Sequence, residues 1–408
     1  WIDVDNLETV HARPGHDIVT TIDLDLQDAA ENALYKQLMR HKAHHGCAVV
    51  MEVKTGDIKA IANLEIGSDG LYHETYNYAV GESTEPGSTF KLMSRMVALE
   101  DGVVDLHDSI NTGDGTVRYY DKVIRDHEEK GLGKITARDV FEHSSNVGTA
   151  KIINENYKDN PRRFVDRLYS MQINKPLGLQ IKGEGKPVIR APGDKLWSGI
   201  SLPMMSHGYE VQMTPLQILT FYNAVANGGK MVKPRFVTEV RDGNRTVKSF
   251  DTEVITNSIA SRSTIRKAQS LLEGVVENGT AKNLKNNNYK IAGKTGTAQI
   301  ANLKHGYRSG ARISYQASFV GYFPADDPLY SCIVVVNAPS NWVYYGNVVS
   351  GPVFKEIADK VYAGNFYRDL HALNPDLEDK VTLREASGGA EKNDLTLAEG
   401  VMPNVVGM

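Results

Sequence analysis

Apolar positions along this chain follow two periods, and the switches between them mark out its elements. Residues 18–22 (Ile-Val-Thr-Thr-Ile), after the turn residues Arg13-Pro14-Gly15, have the β-branched composition of a strand. From Leu24 the period becomes helical. Leu26, Ala29, Ala30, Ala33, Leu34 and Leu38 recur on one face of a helix reaching about Met39, with Asp23 placed to cap it. Residues 47–53 and 58–63 are short β-prone runs joined by Lys54-Thr55-Gly56-Asp57, which predicts a hairpin.

Pro86-Gly87 breaks the pattern and leads into a helical stretch over 88–99 that Gly102 closes. Thr136 with Asp139 forms a capping-box signature for a short helix, and a second begins near Asn146. Thr214-Pro215 opens a mostly apolar helix to Ala226, ended by Gly228-Gly229. Residues 289–300, 313–323 and 329–336 read as strands, the last two joined by the turn 324–328. The hairpin and these three make five strands with most helices between the groups, and short connections within each group imply antiparallel pairing. The pattern predicts an α/β (α+β) fold, a five-stranded antiparallel sheet flanked by helices.

The apolar pattern weakens beyond about Gly364. Residues 1–45 read as a lead-in strand and helix, 46–364 as the main domain, 365–396 as a Gly-, Ala-, Ser- and charge-rich linker, and 397–408 as the start of something new.

Composition narrows the function. The 408 residues carry 24% charged side chains and a formal net charge of -4, which excludes disorder of the whole chain and gives no basic field to gather nucleic acid. The two cysteines, Cys47 and Cys332, rule out a disulfide scaffold, and their strand-like surroundings predict buried free thiols. No run of about 18 apolar residues spans a membrane. The chain opens at Trp1, so an N-terminal anchor absent from this sequence is expected.

Three short motifs carry the chemistry: Ser88-Thr89-Phe90-Lys91, Ser144-Ser145-Asn146 and Lys294-Thr295-Gly296-Thr297. Singly they are weak, since Ser109-Ile110-Asn111 and Lys54-Thr55-Gly56 match the second and third patterns in segments that read as turns. Context separates the real candidates. Ser88 stands at a predicted helix start, with backbone amides and the positive dipole end beside it. Lys91 follows three residues on, on the same face. A serine hydroxyl needs a base, so Lys91 must lose its proton, which burial or a neighbouring cation such as Lys294 would favour. Ser144 is placed to bridge the proton path, and the Asn146 amide to hold either a substrate carbonyl or the Lys91 amine. Thr295 and Thr297 share a strand face, suited to a carboxylate, with Gly296 between them allowing close backbone approach. The backbone amides of Ser88 and Thr297 are the candidate oxyanion donors.

His41, His44 and His45 read as a solvated helix end rather than a metal site, and Trp342, Tyr344 and Tyr345 as either a cleft rim or a plain surface loop after the last strand.

With these motifs the chain resembles a class B penicillin-binding protein over nearly its whole length. Arg13-Pro14-Gly15 with Thr21-Ile22-Asp23, Thr214-Pro215-Leu216-Gln217 with Asn227-Gly228-Gly229, and Phe323-Pro324-Ala325 fit the same family. The resemblance implies a penicillin-binding-protein/β-lactamase-like transpeptidase fold and a peptidoglycan D,D-transpeptidase without metal or organic cofactor. Its substrates would be stem peptides ending in D-Ala-D-Ala, and β-lactam antibiotics would acylate the same serine. It further implies an extracytoplasmic location, and a membrane-bound glycan polymerase and other division proteins as partners. Residues 402–408 resemble the first strand of a PASTA repeat, which favours septal cross-linking. A D,D-carboxypeptidase or a non-catalytic β-lactam sensor stays open as an alternative. A class A β-lactamase lacks support because no Glu-x-x-Leu-Asn segment occurs.

Overall fold

The computed structural model describes residues 15–128, 130–300, 314–340 and 343–373. Arg13, Pro14, Trp342, residues 374–396 of the 365–396 linker and the PASTA-like tail lie outside the described residues, whereas residues 365–373 of that linker are helical. Six strands form the main sheet: β1 (His45–Glu52), β2 (Ile58–Ile66), β3 (Tyr72–His73), β4 (Ala292–Gln299), β5 (Tyr315–Phe323) and β6 (Tyr330–Asn337). Their order is β4-β5-β6-β1-β2-β3, every pair antiparallel. The five long strands are those expected from the sequence, and the sixth is a two-residue addition at the β2 edge.

The central strands are buried on both faces, which is why 47–53 reads as a continuous apolar run rather than an alternation. One face of β1 receives α1 (Leu24–His41), where a Cβ on Gly46 would press on Leu34 and Leu38. Asp23 caps α1 by accepting the Leu26 amide at 3.1 Å, as predicted. The hairpin turn closes through Thr55, whose hydroxyl donates to Glu52 Oε2 at 3.0 Å.

Most of the helices lie between the two strand groups. They include α2 (Lys91–Glu100), α3 (Ala137–Glu142), α4 (Asn146–Tyr157), α5 (Pro161–Ser170), α6 (Pro215–Ala226) and α7 (Arg262–Glu277). Capping boxes start α3 at Thr136/Asp139 and α6 at Thr214/Gln217. The apolar α6 is buried along its length, and its Asn223 is pinned between the Val53 carbonyl (3.1 Å) and the Ser331 hydroxyl (2.7 Å). Helix α8 (Gly351–Leu373) seats Phe354 against Phe319 of β5, ring centroids 4.8 Å apart. From Tyr362 on the chain belongs to a second unit, described only as helix to Leu373.

Three sequence readings change. Ser109–Gly113 is a strand paired with Gly133–Thr136, not a turn. Both segments are short and half-exposed, so neither shows a periodic apolar face. His41 and His45 are buried rather than solvated, because α1 delivers the chain directly into the sheet interior and only His44 is exposed. Helix α8 was not anticipated, although Val353, Phe354, Ile357, Ala358 and Val361 recur at helical spacing with Lys355, Glu356, Asp359 and Lys360 between them. Cys47 and Cys332 are buried free thiols on neighbouring strands, and burial pushes both up.

Candidate functional site

Ser88 does not open an α-helix directly. It is the second residue of a 3₁₀ turn, Gly87–Phe90, that becomes α2 at Lys91. In a 3₁₀ turn residues three apart eclipse one another, so Ser88 and Lys91 are stacked more directly than an α-helix would place them. Gly87 makes the entry possible with φ +55°.

The segment ahead of Ser88 is held at every step. Thr84 pairs with Met213 through two backbone hydrogen bonds and donates its hydroxyl to Gln316 Oε1 at 3.0 Å. Glu85 accepts the Glu210 amide at 2.9 Å, and Gly87 donates to the Gly208 carbonyl at 3.1 Å. Thr89 donates to the Pro86 carbonyl at 2.8 Å and its own carbonyl receives the Tyr222 hydroxyl at 2.8 Å. Gly208, at φ +89°, has no room for a side chain, since a Cβ there would overlap the Gly87 carbonyl.

Lys91 and Lys294 are both fully buried. The Lys91 amine donates to the Ser144 carbonyl at 2.6 Å and Asn146 Oδ1 at 2.6 Å, and lies 3.2 Å from Ser144 Oγ. The Lys294 amine donates to Ser144 Oγ at 2.8 Å and to its neighbour's Thr295 carbonyl at 3.1 Å. Ser144 thus stands between the two lysines, on a backbone bent to φ +56°. Of the two roles considered for Asn146, the geometry gives its oxygen to Lys91, while its Nδ2 donates to the Arg125 carbonyl at 2.8 Å.

Burial lowers the Lys91 amine to about 7, with Asp126 pulling the other way and Arg95 adding to the fall. Lys294 is pushed well below the ordinary lysine range by burial and by the charge of Lys91. His207, buried beside them with its Nδ1 2.8 Å from the Pro203 carbonyl, drops to about 3 through burial first and Lys91 second.

On β4 the two threonines part company. Thr295 is 8% exposed and its hydroxyl lies 2.8 Å from that of Thr280, whereas Thr297 is half-buried near the strand end. Gly296 faces the serine turn, where a Cβ would lie 2.9 Å from Thr89 Cγ2 and overlap the Ser318 hydroxyl. Gly87 in turn sits against Thr297 and Ala298, which brings the turn and the strand end side by side. Among the described residues the hydroxyl of Ser88 has no hydrogen-bond partner; the Lys91 amine is turned to Ser144 and Asn146.

Several residues at the site escaped the sequence reading. Asp126 braces the second motif by accepting the Ser145 hydroxyl at 2.8 Å and the Val147 amide at 2.9 Å. The Tyr345 ring meets His127 at 4.7 Å, and Tyr344 stacks on Tyr315 at 4.0 Å. The decoy Lys54-Thr55-Gly56 remains in its hairpin turn and the second decoy in its strand.

Comparison with known proteins fits this geometry. A model of the penicillin binding protein transpeptidase domain matches residues 46–359. A probable peptidoglycan D,D-transpeptidase PbpC of Pseudomonas aeruginosa is 29% identical over 352 residues, covering 85% of this chain and 58% of that protein. The peptidoglycan D,D-transpeptidase FtsI of Escherichia coli is also 29% identical, covering 87% of this chain and 57% of that protein. The chain therefore spans a little under three fifths of the length of these relatives. Among solved structures, penicillin-binding protein 3 of Mycobacterium tuberculosis complexed with aztreonam superposes with a TM-score of 0.73 at 26% identity, covering 86% of this chain and 80% of that one. The transpeptidase domain of penicillin-binding protein 3 from Burkholderia pseudomallei gives 0.70 at 26%, covering 89% and 98%. Sheet order, the motifs on their elements and the match over most of its length agree, and the chain belongs to the penicillin-binding protein transpeptidase domain family.

Proposed function

We propose that this chain is a peptidoglycan D,D-transpeptidase that works through an ester on Ser88. The observation that carries the reading is the pair of buried lysines meeting at Ser144 beside the serine turn. A neutral Lys91 amine has two N–H groups, and the Ser144 carbonyl and Asn146 Oδ1 take both. Its lone pair is then left for a hydroxyl proton.

In the forward half-reaction Ser88 Oγ attacks the penultimate D-alanine carbonyl as its proton passes to Lys91. The Ser88 and Thr297 amides would receive the oxyanion. The C–N bond breaks, the leaving D-alanine amine takes a proton relayed from Lys91 through Ser144, and the ester remains on Ser88. In the second half an amine from a neighbouring stem peptide attacks the ester, its proton returns through the same groups, and Ser88 regains its hydroxyl. Lys294 keeps the Ser144 proton directed along this path and, with Thr297, offers N–H and hydroxyl donors to a substrate carboxylate.

The substrates are stem peptides ending in D-Ala-D-Ala, and β-lactams acylate the same atom. The PASTA-like residues 402–408 support a septal role on the extracytoplasmic face of the membrane, with a membrane-bound glycan polymerase and division proteins as partners. Incubation with a fluorescent penicillin, followed by gel and intact-mass analysis of wild type and Ser88→Ala, tests the chemistry. A single stable adduct on wild type, absent from the variant, is the expected result. Equal labelling of the two would overturn the assignment of Ser88.

A further inference from the structure

Helix α2 carries a buried charge for which the described residues supply no ion pair. Arg95 lies one helical turn beyond Lys91, at the i+4 position that shares its face, and is 3% exposed. Its Nη1 is buried without a hydrogen-bond partner. Buried guanidinium groups are ordinarily paired, because an unpaired buried cation is among the costliest things a fold can hold.

Several charged groups on the elements around α2 have partners of their own. Asp101, at the end of α2, receives Arg163 at 2.9 Å and Arg167 at 2.7 Å from α5. Glu100 accepts the amide and hydroxyl of Ser261 at the start of α7. On α7 itself Lys267 pairs with Asp105 and Glu273 with Lys290, and on α4 Lys151 donates to the Asn111 carbonyl. Around Lys91 stand Lys294, the neutral His207, and Asp126, whose oxygens are engaged by Ser145 and Val147. Among the described residues no carboxylate forms an ion pair with Arg95.

We propose that Arg95 is a positioning residue for the base: its unpaired buried charge, one turn along the same helix, holds the Lys91 amine in the free form that can take the Ser88 proton. This inference rests on the acyl-serine reading above. Burial itself lowers the Arg95 guanidinium only to about 10, so it stays charged at neutral pH and its field on Lys91 is always present. That field adds to burial and opposes Asp126. The cost of an unanswered cation is the consequence of stationing it there.

The test is the rate of Ser88 acylation by a fluorescent penicillin between pH 5 and 10, for wild type, Arg95→Met, Arg95→Gln and Arg95→Lys. Removing the charge raises the affinity of Lys91 for its proton. The acid limb of the methionine and glutamine variants therefore moves to higher pH, so that acylation at pH 6 falls while the alkaline plateau is kept. Arg95→Lys, whose amine burial tends to neutralise, gives a limb between those of wild type and the uncharged variants. Arg95→Met also melts at a higher temperature than wild type, since an unpaired charge has been replaced by packing. Superimposable limbs for wild type and the two uncharged variants would overturn the proposal. Absence of acylation in wild type at every pH would instead overturn the acyl-serine reading, so the two failures are told apart.

Discussion

The Lys91 cluster and the His45 cluster are both buried and polar, and they meet the cost of burial in opposite ways. His45, at the start of β1, has its Nε2 3.0 Å from Glu82 Oε2 and its Nδ1 2.9 Å from that of His44, and its ring stacks on Tyr78 at 3.9 Å. The imidazole there has a carboxylate beside it. Lys91 and Lys294 find only neutral oxygens, those of Ser144, Asn146 and Thr295. The same fold that supplies a counter-ion to a histidine withholds one from two lysines. Withholding a direct ion pair is what turns a buried ammonium into a base, because burial then outweighs the pull of Asp126 on its charged form.

Three changes sharpen or break this contrast. The largest effect belongs to Lys91→Met, which fills the site but removes the base. Penicillin acylation should fall by about 10²- to 10⁴-fold, the range general bases contribute, and a stopped-flow acylation assay reads it. A variant within a few fold of wild type would show that another group takes the proton. In wild type the same rate rises as pH increases through about 7, because Lys91 is the free amine above that point and the ammonium below it.

Gly208→Ala acts on geometry and leaves both lysines intact. A methyl group would overlap the Gly87 carbonyl, and a non-glycine residue at φ +89° is itself strained at roughly 1–2 kcal/mol. Loss of acylation by tens of fold with a lowered melting temperature is expected. Wild-type rates would mean that the serine turn does not depend on that contact. His45→Phe should do least: it keeps the stack on Tyr78 but breaks the Glu82 contact, costing about 1 kcal/mol of stability. Acylation rates should remain within about twofold at every pH, and a shifted acid limb would remove the distinction between the two clusters.

What the sequence discloses here is what is local. Asp23, Thr136 with Asp139, and Thr214 with Gln217 cap the helices they precede because each reaches only three residues along the chain. Ser88, Lys91, Ser144, Asn146 and Lys294 are legible as ordered motifs, and the structure brings the last four into one hydrogen-bonded group. Asp126 and Gly208 are not, since their roles come from contacts with Ser145 and Gly87 that no spacing rule connects. Arg95 is the clearest failure. In a helical pattern a lone arginine reads as solvent-facing, and only packing by α4, α5 and α7 reveals it as buried. Thr280 is similar, taking the Thr295 hydroxyl from a different element.

The order of the sheet also governs how this protein can be made. Strand β1 lies between β2 and β6, and the Ser331 hydroxyl meets the Met51 carbonyl across 280 residues of chain. As the chain leaves the ribosome, the hairpin β1–β2 emerges with one apolar edge open and waits for its neighbour. At ordinary synthesis speeds the wait is on the order of 10–60 seconds. For that time a β-prone, uncharged strand edge is available to any other chain. The catalytic strand β4 is itself stitched to this edge only through β5 and β6, so a nascent chain has the serine turn long before it has a surface to hold it against. The strand order thus leaves residues 45–66 without their β6 neighbour until the last strand of the sheet has been made.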